Sequence, residues 1–268
     1  MALLGVSILI ENRTVARHCW QTSISAYYYT PVRAVFVGAM LTVGFALIVI
    51  KGRNSFEDVC LNFAGMLAPV VAVAPTTDWG TCWSTAPKPL PKDEYGAVAE
   101  WVVTNINNNF YALLIAGAVG LLVAAVIALF ANQGVGTTIE NVGRGTLWSL
   151  AATAGALLVG WALIERWDGF HSGMHGPSAI AMFVFLIGAV GSRAWAYRGE
   201  WRVSWYFRLY LMVGLLMALG GLAIWLSRVF EDHTVFALEA YEIVLFAAFW
   251  LVQTKEHWDE EPCVPATP

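Results

Sequence analysis

Glu239 and Glu242 lie inside the last apolar stretch of the chain, three residues apart and so on one side of a helix. A carboxylate at bilayer depth is expensive unless it is paired, protonated or hydrated, so an intramembrane acid marks a functional position. Two roles compete for it. One is a proton relay or the floor of a ligand pocket; the other is a hydrogen-bonded tie between helices, with Arg208 or Ser178 as partners. Both roles stand for Glu239, and the tie is favoured for Glu242. The pocket expected around them takes in Glu239, Glu242, His175, Tyr27, Tyr28 and Ser178.

Four histidines, His18, His171, His175 and His233, map to the same end of the apolar segments, with Asp168, Glu231 and Asp232 near them in sequence. Neutral imidazoles and carboxylates are what Zn²⁺ takes, and a catalytic site keeps one position open for an activated water. His171 and His175 have the four-residue spacing that places two ligands on one helix face. Gly173, Gly176 and Pro177 interrupt that face, and Pro177 suits the first turn of a helix starting near His175. The metal reading therefore rests on His171, His175 and His233 as ligands with Glu239 as general base. The plainer reading is of histidines at a membrane end that meet water or headgroups.

The four cysteines divide by side. Cys19 and Cys82 fall where an oxidising compartment permits a disulfide between the N-terminal segment and the longest loop. Cys60 and Cys263 fall on or near the opposite side, and no CxxC pair signals a zinc ribbon or a thioredoxin-like centre.

The elements that must position these groups are membrane helices. With 58% hydrophobic and 13% charged residues, the chain is too apolar for a soluble domain of this length. The net charge of −4, without a basic patch, argues against nucleic acid as a partner. Stretches approaching the roughly 20 apolar residues of a membrane crossing run near 33–50, 58–76, 109–131, 146–165, 173–193, 205–227 and 234–253. The expectation is an all-α, polytopic bundle of about seven transmembrane helices. Residues 1–32 form an N-terminal extracytoplasmic segment, 33–254 the bundle, and 255–268 a short acidic cytoplasmic tail. Residues 2–10 are apolar but too short to cross alone, and read as a stub packed at the surface.

Orientation follows the basic residues. Lys51, Arg53, Arg144, Arg193, Arg198, Arg202, Arg208 and Lys255 share one side. Arg13, Arg17, Arg33, Lys88, Lys92, Arg166 and Arg228 share the other. The dense cluster at 193–208 decides for N-terminus out and C-terminus in, a multi-pass protein of the bacterial cytoplasmic membrane. The outer loop, 77–107, carries a Pro/Lys stretch, a short amphipathic helix at 96–105, and Trp79, Trp83, Tyr95 and Trp101. Those aromatics are interfacial anchors or a ledge for lipid or sugar. Segment 7 has no lysine before Lys255, which removes a retinal Schiff base, and no Walker or haem motif occurs. Gly117, Gly120, Gly155, Gly160, Gly214, Gly220 and Gly221 suit close helix approach.

Ser23-Ile-Ser-Ala-Tyr-Tyr-Tyr-Thr-Pro-Val-Arg33, followed by Phe36-Val-Gly38, resembles the opening signature of a bacterial family of uncharacterised multi-spanning membrane proteins. The likeness extends to Lys51-Gly52, Asn62, Ala64-Gly65, Pro75-Thr76, His175, Ser178-Ala179, Phe183, Glu239 and Trp250-Leu251. It covers most of the helical core. Members often carry His where this chain has Tyr29, and Asp where it has Ala34. The resemblance implies topology and a shortlist of residues, and no reaction. A more distant, fold-level likeness is to the alkaline ceramidase and adiponectin-receptor superfamily of seven-helix zinc proteins, with Ser23 or Ser25 near the same face. There the HxxxH lies in the last helix, and an intramembrane Asp is present that this chain lacks.

Two expectations result. The first is a non-enzymatic membrane protein, an accessory or lipid- or partner-binding subunit with a polar outer pocket and no cofactor. Its partners are membrane lipids and other membrane proteins. The second is a metal-dependent intramembrane hydrolase of a lipid amide or ester, with zinc the metal those ligands would suit.

Overall fold

The computed structural model describes residues 1–14, 18–76, 100–130, 144–197, 205–227 and 229–259. Among them every regular element is helical: α1 Ala2–Thr14, α2 Arg33–Val49, α3 Ser55–Val73, α4 Glu100–Phe130, α5 Arg144–Arg166, α6 Phe170–Gly173, α7 His175–Ala196, α8 Trp205–Leu215, α9 Gly221–Ser227 and α10 Thr234–Asp259. A buried 3-10 turn, Ser25–Tyr29, precedes α2, and a π-helical turn, Leu216–Gly220, joins α8 to α9.

Six stretches are long and apolar enough to cross a membrane: Ser55–Val73, Val102–Phe130, Thr146–Arg166, His175–Ala196, Trp205–Ser227 and Thr234–Glu256. The seventh expected span corresponds to α2, which is apolar but has only 17 residues. At about 1.5 Å per residue it measures about 25 Å, short of a roughly 30 Å hydrocarbon core.

The helix ends follow local chemistry. Asn54 caps α3, its side chain accepting from the N–H groups of Phe56 and Glu57, and Glu57 and Asp58 fill the first turn, where the helix dipole favours acids. Pro177 stands in the first turn of α7, as expected for a helix that opens at His175. Between α5 and α7 the chain turns on α6, whose Phe170 is fully buried and meets Phe110 edge-on at 4.9 Å.

α3 is the central helix, packed between α2 and α7; α8 lies on the far side of α7, and α10 rests on α8 and α9. The α2–α3 contact depends on two glycines facing each other. A Cβ on Gly65 would lie 2.6 Å from the carbonyl oxygen of Gly44, so the two backbones meet with nothing between them. α4 and α5 pair with each other at the edge of the bundle, and most of their surface is exposed.

Three expectations are revised. α4 starts at Glu100, so residues 100–107, assigned to the outer loop, continue the spanning helix. The Asn-rich turns 105–109 look unsuited to a membrane, yet Asn107 is engaged by His171 at 2.7 Å. α10 runs on to Asp259, because Glu256 is buried in a salt-bridge cluster rather than lying in a free tail. The N-terminal stub is a helix whose Leu4 and Ile8 enter the same apolar core as Tyr27 and Phe36. Most of loop 77–107, including Trp79, Trp83 and Tyr95, and tail residues 260–268 lie outside the described residues.

Candidate functional site

Glu239 stands on the second turn of α10 and is met by the chain that precedes α2. The Ile24 N–H donates to its Oε2 at 2.6 Å, and the Ser25 hydroxyl donates to its Oε1 at 3.1 Å. The 3-10 turn places these donors. Ser23 Oγ accepts from the Ala26 N–H and Thr30 Oγ donates to the Tyr27 carbonyl, so the turn's polar groups are satisfied in a buried position. The Phe236 N–H donates to the Thr22 carbonyl at 2.9 Å, a second bond between this segment and the start of α10.

The three tyrosines of the signature are buried in this plug and point in different directions. Tyr27 Oη accepts from the Gln21 N–H at 3.5 Å, and burial pushes its phenol up. Arg33 donates to Tyr28 Oη at 2.7 Å while its guanidinium lies 4.3 Å over the same ring, and burial again pushes that phenol up. Tyr29 donates to the Thr76 carbonyl at 2.7 Å, tying the plug to the end of α3. Trp20 and Tyr27 both pack on Phe236, with ring centroids 5.5 and 6.4 Å away.

Below Glu239 opens a cavity of about 490 Å³. Its lining on α10 is one helix face, Glu239, Ile243, Phe246, Trp250 and Thr254 at three- and four-residue steps with Ala247 and Leu251 beside them. Phe36, Met40, Val43 and Leu47 of α2 form a parallel stripe, and Ala179, Met182, Phe183 and Leu186 of α7 form a third. Met1 and Leu4 of α1 reach its side. From Glu239 to Thr254 the lining runs about 22 Å along the helix axis. Its walls are almost wholly apolar, and Glu239 is the one ionisable side chain among the described lining residues. Glu239 is half-buried by surface area, although it is deeply embedded, because a face of it looks into this cavity.

The other expected site residues disperse. Glu242 points away from the cavity toward α9, where a Cβ on Gly221 would lie 2.5 Å from its Oε1; its Oε2 has no partner among the described residues. The two glutamates are thus not a pair, and neither binds Arg208 or Ser178. Ser178 is buried, and its hydroxyl has no partner among the described residues. His175 is buried and its Nδ1 engages the Ala74 carbonyl at 2.7 Å. His171 Nε2 meets Asn107 at 2.7 Å, and His233 Nε2 meets the Trp20 carbonyl at 3.1 Å. Each expected ligand is therefore spent on a different helix end. Among the described residues no three His, Cys, Asp or Glu side chains are grouped to hold a metal. The proposed zinc set does not fit. Cys82 lies outside the described residues, and Cys60 is a free, buried thiol.

Sequence reasoning missed a second polar cluster at the opposite end of the bundle. Arg193, on the last turn of α7, is fully buried and donates to Glu256 Oε2 through Nε at 3.2 Å and Nη2 at 2.6 Å. Its Nη1 lies 3.6 Å from Glu57, which also accepts from the Arg53 N–H at 2.9 Å and from Gln253 at 3.3 Å. Arg53 completes the set with a 2.8 Å salt bridge to Glu256, whose carboxylate also accepts from Tyr197 and Tyr210. Two arginines face two glutamates, so the charges balance. The signal was present, since Glu57 and Arg193 are charges inside apolar helices. Arg193 was read only for orientation, and Glu57 lies just before the second apolar stretch, so the two were not set against each other.

No protein-family model, no curated protein and no solved structure matches the chain. The reading of function therefore rests on the residues themselves.

Proposed function

We propose that this is a multi-pass protein of the bacterial cytoplasmic membrane that binds a lipid in its intramembrane cavity and serves as an accessory subunit rather than a catalyst. The observation that carries the reading is the lengthwise cavity between α2, α7 and α10, almost wholly apolar and with Glu239 and the Ser25 turn at one end. Its volume falls within the roughly 300–1,000 Å³ of small-molecule sites, and its walls match an alkyl chain. In this reading α2 is a seventh, short span and the Glu239 end faces outward, as the basic cluster at 193–208 suggests. In the same reading a Cys19–Cys82 disulfide secures the segment before α2. The exposed flanks of α4 and α5 face lipid or another membrane protein of a complex.

The hydrolase alternative loses its support. It needs a base, a metal and an open coordination position together, whereas Glu239 is engaged by Ile24 and Ser25 and the histidines are engaged elsewhere.

The test is lipid content after purification in mild detergent, comparing wild type with Ala179→Phe/Met182→Trp, which fills the cavity from α7. The expected outcome is about one co-purifying lipid per chain in the wild type, lost in the filled variant. Equal lipid on both proteins would overturn the proposal.

A further inference from the structure

The polar end of the cavity carries more information than its walls. Resting on the lipid-binding reading, we infer that the ligand is a single-chain amphiphile whose head is a hydrogen-bond donor, a hydroxyl or an ammonium, and not an anion. Three observations lead there. The only ionisable side chain among the described lining residues is a glutamate; no Lys, Arg or His side chain is among them. The partners of Glu239 are the Ile24 and Ser25 N–H groups and the Ser25 hydroxyl, and no basic side chain among the described lining residues offsets a second negative group. An anionic head placed beside the Glu239 carboxylate would sit in a low-dielectric site with no Lys, Arg or His side chain among the described lining residues to balance it, which is strongly unfavourable.

A donor head fits the same geometry. A carboxylate has about four lone-pair sites, and the Ile24 N–H with the Ser25 N–H and hydroxyl leave acceptor capacity for one more donor. A hydroxyl offers one donor to it, and an ammonium adds charge complementarity. Ser25 also lines the cavity, and its hydroxyl oxygen keeps acceptor capacity while donating to Glu239. The lining run of about 22 Å exceeds one leaflet, about half of a roughly 30 Å core. A cavity of about 490 Å³ along that run favours one extended chain over the two chains of a phospholipid.

The experiment uses full-length protein in phosphatidylcholine nanodiscs and measures retention of radiolabelled hexadecanol, with unlabelled hexadecylamine, hexadecanoate and hexadecane as competitors sharing one tail. The expected result is saturable retention, competition by hexadecylamine at similar concentrations, and competition by hexadecanoate at least about tenfold weaker, a difference of about 1.4 kcal/mol. Glu239→Gln keeps an acceptor oxygen and the fold while removing the charge. It should retain hexadecanol and bring hexadecanoate to within about threefold of it, well inside that tenfold gap. Hexadecanoate competing as well as hexadecanol in the wild type, or discrimination unchanged in Glu239→Gln, would overturn the head assignment. Saturable retention in either case would leave the cavity reading standing. No saturable retention of hexadecanol, together with no effect of hexadecane, would overturn both.

Discussion

At the scale of single residues, the account turns on which buried polar groups have partners. Glu239 is the acceptor for the Ile24 N–H and the Ser25 hydroxyl. Glu239→Ala should therefore lower stability by about 1–3 kcal/mol, the usual penalty for a buried donor left unmade, and Glu239→Gln by less; thermal melts in detergent check both. Arg193→Met leaves Glu57 and Glu256 buried without their shared cation, and should cost about 3–5 kcal/mol. Glu11, outside the spans, behaves oppositely. Its burial pushes the carboxyl above the ordinary value of 4.5, so the native state holds that proton more tightly than the unfolded chain. The native state is then favoured most below 4.5, and the contribution is lost as pH rises through the raised value. Glu11→Gln should raise the melting temperature at neutral pH and leave it unchanged in acid. Glu239 was legible from sequence because an acid inside an apolar helix is conspicuous. Its partners were not, since Ile24 contributes a peptide N–H that no side-chain pattern announces.

At the scale of elements, apolar length identified the spans well, and what it misplaced were polar turns held inside helices. Asn107 and Glu256 each extend a helix past its apolar limit because a distant residue, His171 or Arg193, satisfies them. The HxxxH spacing suggested one ligand-bearing face, but the chain bends at Met174, leaving His171 in α6 and His175 at the start of α7. Close helix approach also divides the glycines that composition treats alike. At Gly65 a Cβ would meet the Gly44 carbonyl oxygen at 2.6 Å, whereas at Gly120 nothing lies within 4 Å. Gly65→Ala should force α2 from α3 and destabilise by about 1–3 kcal/mol, the range for overpacking. Gly120→Ala should leave the melting temperature unchanged or raise it, through helix propensity alone.

At the scale of the molecule, two polar constructions sit at opposite ends of one apolar interior. The arginine–glutamate cluster ties α3, α7 and α10 together at one end, and the Glu239 plug closes the other. Between them α2 and α10 stand apart, and the cavity fills the gap. Sequence could supply the stripes on each helix but not their facing, because tertiary distance has no local signal. The central claim is that a lipid chain occupies that gap. It is tested most directly by photo-crosslinking the purified protein with a hexadecanol analogue carrying a diazirine along its chain, followed by peptide mass spectrometry. The account predicts adducts on the cavity stripe, at Ile243, Phe246 or Trp250 of α10 and at Met182 of α7, competed by excess hexadecanol. Adducts confined to outward positions such as Val244 and Leu122, with no competition, would contradict it.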